Sequence, residues 1–447
     1  MSPGPAAPLE GRRGGRLAGK RTRWTRSGNR GTIALSVIQR TQEGKAIPAF
    51  KYKWSSSPGP ITVEDYRRLA RRSVPDMVWA YVDYGAEDLQ TLRANREAFS
   101  RYALRTRVLT GKEGSELSVT VGGETISLPV LLAPTGLVGL SHWTGEVGAA
   151  QAAERAGTLS IVSTAGSYSY EEVAGGTEKD HFFQLYPWRD LTAGRHDLTL
   201  SLIQRAQQAG YRAMFVTVDT PARGNRESER KRGMGNPPVI TPARVLNAAT
   251  RPRWALDYLR HRRISARNLV ESVGARAAVQ SLRVQFTMMR SELNWDDFKW
   301  MREHWDGPLY IKGVLDAEDA EMAVDLGATG VVVSNHGGRQ LDGAVAALDA
   351  LPAIAERLGH RAEILLDGGV RRGSDVVKAL CLGATAVCIG RPYVYGMAAR
   401  GPAGAEHVVN IFREEISRTL TLMGVGSVKE LDRSWLLPAG TPLTGCG

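Results

Sequence analysis

The chain has 447 residues, 43% of them apolar, and a formal net charge of +12. That content excludes a disordered chain, and the length fits one barrel-sized domain with appendages or two domains. The charge does not point to nucleic acid: the first 53 residues hold twelve Lys/Arg against two Glu, so +10 of the +12 sits there, and no basic patch interleaved with aromatics follows.

The three cysteines, Cys381, Cys388 and Cys446, form no disulfide framework and no zinc spacing, so no metal is expected. Cys388 lies in an apolar strand and reads as a packed thiol. This usage suits a reducing compartment and a cytoplasmic location. No apolar run reaches the roughly 18 residues of a spanning helix. The longest candidate, Leu128–Leu140, is broken by Pro129 and Pro134.

Residues 1–58 are rich in Gly, Pro, Ser, Arg and Lys with little periodicity and read as a disordered basic tail. Their Arg-rich, acid-poor composition also resembles an organelle transit peptide. The ordered domain is expected over 59–440. Thr62 caps a helix that runs to Ala70, with Glu64 and Asp65 in its first turn. Pro75 opens a second over Asp76–Tyr84, stopped by Gly85. A third runs from Glu87 to Phe99.

From Leu128 the pattern alternates. Short apolar runs at Leu128–Ala133, Leu159–Ser163, His181–Leu185, Ala213–Val218, Leu309–Lys312, Gly330–Ser334, Ile364–Asp367 and Ala386–Ile389 read as strands. Helical stretches fall between most of them: Gly145–Ala156, Leu200–Ala209, Ala317–Leu326, Leu348–Leu358 and Ser374–Leu382. This predicts an α/β (β/α)8 TIM barrel with N-terminal helices. The rival, a doubly wound open sheet, would carry GxGxxG after its first strand, and none is there. One connection breaks the rhythm, a long loop from Thr220 to Asn294 after the fourth strand. Its segment Arg244–Glu271, rich in Arg, Leu and Trp, reads as a solvated, partly disordered loop or as an amphipathic helix at a membrane surface.

Barrel enzymes place their chemistry at the C-terminal ends of strands. Those ends carry Ala133-Pro134-Thr135-Gly136, Ser163-Thr164, Gln184 with Tyr186, Thr217 with Asp219, Lys312, Ser334 with His336, Asp367 and Gly390. Arg226 lies just beyond the fourth strand. Gly-rich turns after strands seven and eight, Asp367–Arg371 and Gly390-Arg391, each join exposed backbone N–H groups to an arginine, which is a phosphate signal. Neutral polar groups at Thr164, Gln184, Thr217 and Ser334 suit the hydrogen-bonding rim of an isoalloxazine. The stretch SNHGGRQLD (334–342) leaves His336 at a strand mouth, with glycines for a sharp turn and Arg339 three residues on. A titratable base beside an anion clamp suits proton abstraction from an anionic substrate.

YGAEDLQTLRAN (84–95), APTG (133–136), FFQLY (182–186), TVDTP (217–221), IKG (311–313), SNHGGRQLD, LDGGVRRGSDVVKAL (366–380) and IGRP (389–392) together resemble the FMN-dependent α-hydroxy acid dehydrogenases and oxidases. That family includes glycolate oxidase, flavin L-lactate dehydrogenase and mandelate dehydrogenase. The resemblance spans residue 62 to about 435, and SNHGGRQLD is its most specific part. It implies FMN as cofactor, His336 as the catalytic base, and Asp219 as the carboxylate that orients it. Arg226 and Arg339 become the substrate-carboxylate pair with Tyr81 as a third contact. Tyr186 becomes the phenol at the substrate hydroxyl, and Lys312 the cation beside the flavin N1–C2 edge. Ala133, Pro134, Thr135, Thr164, Gln184, Thr217, Ser334, Asp367, Gly369, Arg371, Gly390 and Arg391 complete the expected cofactor site. Tyr84 and Asn225 depart from the family's usual small and bulkier residues and bear on the substrate entrance.

The expected reaction is oxidation of an (S)-2-hydroxy acid, L-lactate-like, to the 2-oxo acid. Gly136 resembles dehydrogenase-type relatives, where oxidases more often carry alanine. That favours a quinone or other carrier as acceptor over oxygen and hydrogen peroxide production. A homotetramer and peripheral membrane contact through 220–294 are further expectations. A flavin isomerase would not need the His–Asp pair with two arginines, and a binding protein without activity would not keep all four.

Overall fold

The computed structural model describes residues 59–188, 196–235, 238–269 and 293–440, and the backbone of four short strands near the start of the chain. Those strands pair as two ribbons, Trp24–Thr25 with Ala34–Leu35 and Ile38–Arg40 with Ala46–Pro48. The expected disordered tail otherwise lies outside the described residues, as do Cys446 and the 270–292 part of the long connection.

Eight parallel strands follow: β1 (Val130–Leu132), β2 (Ile161–Ser163), β3 (Phe182–Leu185), β4 (Met214–Thr217), β5 (Leu309–Val314), β6 (Gly330–Val333), β7 (Glu363–Asp367) and β8 (Ala386–Ile389). They hydrogen-bond in sequence from β2 to β8, and β8 pairs with β1. The ring closes through a parallel bridge between Leu132 and Ser160. This is the expected barrel.

Alternate residues of a strand face the interior. Phe182, Phe215, Tyr310, Val332 and Leu365 build a dry inner layer, with Phe215 and Tyr310 stacked at 4.3 Å. Two residues on, the same face carries Gln184, Thr217, Lys312, Ser334 and Asp367. One inward stripe is thus apolar below and polar above. A hairpin of Val119–Val121 and Glu124–Ile126 seals the lower end, adding Val121 and Ile126 to the inner layer. Gly122 at its tip, in the left-handed region, donates its N–H to Glu363 Oε2 at 3.1 Å. Tyr310 donates its hydroxyl to the same oxygen at 2.7 Å.

The three leading helices are α1 (Val63–Ser73), α2 (Asp76–Asp83) and α3 (Gln90–Glu97). A Thr62–Asp65 capping box starts α1. The third begins later than expected because Glu87 and Leu89 take positive φ. The outer layer adds α4 (Gly145–Arg155), α5 (Tyr170–Ala174) and α6 (Asp197–Gln208). Where it is described, the long connection holds α7 (Glu227–Lys231), α8 (Pro242–Ala249) and α9 (Pro252–His261), so of the two readings of its 244–271 segment the helical one fits the described part and the loop reading is corrected. Proline in the first turn of α8 and α9 favours both starts. Then come α10 (Trp295–Glu303), α11 (Ala317–Asp325), α12 (Ala347–Leu358) and α13 (Gly373–Cys381). Two helices absent from the expected pattern follow β8, α14 (Arg391–Arg400) and α15 (Pro402–Met423), and a last strand, Leu436–Pro438, pairs with Tyr102–Leu104.

Candidate active site

A cavity opens above the polar layer, lined by residues from α2, the strand ends and the 334–342 loop. His336 stands at its centre with φ 58°, followed by Gly337 at 66° and Gly338 at 71°. A left-handed histidine is strained by about 1 kcal/mol or more, so the surroundings must impose it. Its N–H donates to Ser334 Oγ at 3.0 Å, and the Gly338 N–H donates to Asn335 Oδ1 at 3.0 Å. Asn335 and Asn95 of α3 exchange amide hydrogen bonds at 2.7 and 2.8 Å, which pins the loop to the leading helices.

His336 Nδ1 lies 2.9 Å from Asp219 Oδ1. Burial, opposed by Asp219, holds the imidazole below its ordinary pKa, so it is neutral near pH 7. Burial would raise Asp219, but His336 and Lys312 outweigh it and keep the carboxylate ionised. The carboxylate therefore fixes the Nδ1–H tautomer, leaving the Nε2 lone pair to the cavity. Tyr186 OH is 3.4 Å from that Nε2, and burial pushes its phenol up to about 12.

Arg226, Arg339 and Tyr81 line the same cavity. Arg339 Nη1 donates to the Tyr81 and Tyr84 carbonyls at 2.7 and 3.0 Å, and its guanidinium lies 5.1 Å over the Tyr81 ring. Arg226 donates to the Arg339 carbonyl and Gln340 Oε1 at 3.1 and 3.2 Å. Burial and the neighbouring Arg339 pull Arg226 down to about 10. A buried carboxylate outside the expected set holds both: Glu229 of α7 lies 2.9 Å from Arg339, 3.9 Å from Arg226 and 3.3 Å from Arg223. Three guanidiniums against one carboxylate leave positive charge for an anionic substrate.

Below them, Lys312 Nζ donates to Ser334 Oγ and pairs with Asp367 Oδ2, both at 2.9 Å. Burial would depress Lys312, but Asp367 and Asp219 overcome it and hold the ammonium well above the lysine range. Gln184 Nε2, Thr217 Oγ1 and Arg391 Nε are buried without a partner among the described residues. Gln184 is turned that way because Ser163 donates to its Oε1 at 2.9 Å. Gly390 caps the N-terminus of α14, whose first N–H groups favour a phosphate beside Arg371 and Arg391. Unpaired polar groups along one wall and a phosphate cradle at the end fit FMN.

Most of the expected residues meet here. Ala133, Pro134, Thr135, Gly369 and Gly390 line the cavity with the side chains already named. Ser334 and Asp219 sit one layer back, acting through Lys312, Asp367 and His336. Thr164 is placed elsewhere: its parity is opposite to Ser163, and its hydroxyl donates to the Gln184 carbonyl at 2.6 Å. Tyr84 contributes its carbonyl, which also accepts from Arg391 at 3.0 Å. The Asn225 carbonyl accepts the Glu87 N–H at 2.9 Å at the entrance.

Known proteins resemble this chain over most of its length. The profile of the FMN-dependent dehydrogenase family matches residues 70–438. An L-lactate oxidase from Nostoc sp. is 39% identical over 385 residues, covering 84% of this chain and 98% of the relative. An L-lactate dehydrogenase from Xanthomonas euvesicatoria is 41% identical over 372 residues, covering 82% and 94%. The crystal structure of a monotopic membrane protein, (S)-mandelate dehydrogenase, superposes with a TM-score of 0.80 at 34% identity, covering 85% of this chain and 99% of that one.

Proposed function

The chain belongs to the FMN-dependent dehydrogenase family and oxidises 2-hydroxy acids with FMN, and from that premise we propose that it converts a small (S)-2-hydroxy acid, L-lactate-like, to its 2-oxo acid. The observation that carries the reading is the neutral His336, backed by the Asp219 carboxylate, in one cavity with the largely buried Arg226 and Arg339. Arg226 and Arg339 grip the substrate carboxylate by planar forks. Tyr81 and Tyr186 flank it, and His336 Nε2 takes the hydroxyl proton. Asp219 then stabilises the imidazolium. Bound FMN, held by Gln184, Thr217, Lys312, Gly369, Arg371, Gly390 and Arg391, supplies the acceptor for the C2 hydrogen and two electrons. Lys312 places a fixed positive charge where negative charge develops.

The electrons pass to a quinone or other carrier. A Cβ on Gly136 would meet Ala165 Cβ at 3.0 Å and Tyr81 OH at 3.3 Å, so glycine lets the Tyr81 phenol and Ala165 pack closely against this wall of the cavity. Oxygen is the second reading, and the similarity to an L-lactate oxidase favours it. Oxygen uptake compared with dye reduction separates the two. Among the described residues no helix is long and apolar enough to cross a membrane. Exposed Val245, Leu246, Leu256 and Leu259 on α8 and α9 support peripheral attachment at the cytoplasmic face. We assign residues 1–58 no catalytic part, and removing 1–56 should leave flavin reduction intact. A homotetramer is expected by light scattering.

The test is His336→Gln. The variant should keep FMN, while anaerobic bleaching of the flavin by L-lactate, glycolate or (S)-mandelate should slow by about 100- to 10,000-fold. Near-normal single-turnover bleaching would remove His336 from the mechanism. In the parent enzyme, bleaching should persist through about pH 6.5 and weaken only on further acidification, because only neutral His336 accepts the proton and burial holds its pKa below the ordinary histidine value. Stability should fall in the same direction, since the unfolded chain takes up that proton first.

A further inference from the structure

A second cavity, of about 470 Å³, lies between α9, the end of α1, the end of α14 and the 139–143 turn. Five arginines line it, Arg72, Arg251, Arg253, Arg263 and Arg400, against one carboxylate, Asp257. Among the described residues only Arg263 of the five is ion-paired, with Glu172 at 2.8 Å. Among the described residues Arg251 Nε is buried without a hydrogen-bond partner, while its Nη1 donates to the Thr250 hydroxyl at 2.7 Å. Stacked rings, Trp254 on Tyr258 at 5.1 Å and Trp143 on His261 at 4.1 Å, stiffen the rim. The walling helix α9 exposes Leu256 at 51% and Leu259 at 63%, and α8, which ends at the cavity's edge, exposes Val245 at 57% and Leu246 at 69%.

Guanidiniums that outnumber their carboxylate partners in a concave site call for a multivalent anion, and phosphate matches their forks. A soluble phosphate ester would leave the exposed aliphatic side chains beside it unused. A phospholipid uses both: phosphate in the cavity, acyl chains against α8 and α9. We propose that this cavity is the headgroup site for an anionic phospholipid, a reading that deepens, and rests on, the peripheral attachment proposed above. It also lies close to the chemistry. Ser141 lines both cavities, and Trp254 Nε1 donates to the Leu140 carbonyl of the same turn at 2.7 Å.

The experiment is co-sedimentation of the full-length holoenzyme with phosphatidylcholine vesicles, with and without phosphatidylglycerol. The parent protein should prefer phosphatidylglycerol. The Arg251→Gln/Arg253→Gln double variant should lose about tenfold or more of that preference, with flavin content and soluble hydroxy acid oxidation unchanged. The basic residues before 58 are common to both proteins, so the difference reports on the cavity. Leu256→Ser/Leu259→Ser should weaken binding to both kinds of vesicle. If the leucine variant detaches while the arginine variant binds like the parent, attachment stands and the headgroup site is overturned. If the parent sediments with neither vesicle, attachment itself falls. Calorimetric binding of inorganic phosphate that the arginine variant loses, without vesicle binding, would make the cavity a soluble-anion site and overturn the lipid assignment. A change of oligomeric state in the arginine variant would make it a contact between copies and overturn it equally.

Discussion

Two cavities in this protein are lined by arginine, and they hold it in opposite ways. In the catalytic cavity Arg226 and Arg339 are only 9% and 14% exposed, and each is tied to Glu229 and to backbone carbonyls. In the outer cavity Arg72 and Arg253 are exposed, and among the described residues Arg72, Arg251 and Arg253 have no carboxylate partner. The first arrangement loses little side-chain entropy on binding and reads one carboxylate in one orientation. The second tolerates varied positions of a phosphate at a surface. Fixing a guanidinium buys geometry; leaving it loose keeps reach.

Glu229→Gln attacks the contrast hardest. Removing one partner of a buried ion pair costs about 3–5 kcal/mol, so a clear fall in melting temperature is expected. Because Glu229 helps hold Arg226 protonated, its loss should also move the alkaline weakening of substrate binding from near pH 10 toward neutrality. An unchanged alkaline limb would mean that Glu229 does not tune the clamp. Arg339→Lys should follow. It keeps charge but loses the fork, and a hydrogen bond to a charged group is worth about 1.5–3 kcal/mol. The substrate dissociation constant, from bleaching against concentration, should rise roughly ten- to a hundredfold. Arg226→Lys should act alike, and the double variant should be less than additive. Neutral hydroxy esters should escape the penalty; an equal loss for ester and acid would disprove the clamp. Arg263→Gln in the outer cavity should do least. Its pair with Glu172 is 30% exposed on each side, so about 0–1 kcal/mol of stability is expected. A larger loss in thermal unfolding would show the outer arginines to be structural.

The barrel was legible because each strand is a short apolar run whose inward stripe turns polar at its upper end. Gln184, Thr217, Lys312 and Asp367 can be found by counting two residues from Phe182, Phe215, Tyr310 and Leu365. The same count separates Ser163 from Thr164: their composition suits a cofactor rim equally, and only parity sends Thr164 outward. Glu229 was not legible. It sits on a five-residue helix in the long connection, and its partners Arg226 and Arg339 meet only in space. The helices α8 and α9 fall in the segment that reads as either a solvated loop or an amphipathic helix, and Thr241-Pro242 and Arg251-Pro252 mark both starts. The last two helices carry the same mark in Pro392 and Pro402.

The hairpin beneath the barrel has a kinetic consequence. With Val121 and Ile126 filling the lower end against Phe182 and Tyr310, the described residues leave the barrel no back door. Hydroxy acid, 2-oxo acid and electron acceptor must share a single mouth and use it in turn. Turnover should therefore give parallel double-reciprocal lines, with the acid slowing its own oxidation at high concentration by occupying the reduced enzyme before the acceptor arrives.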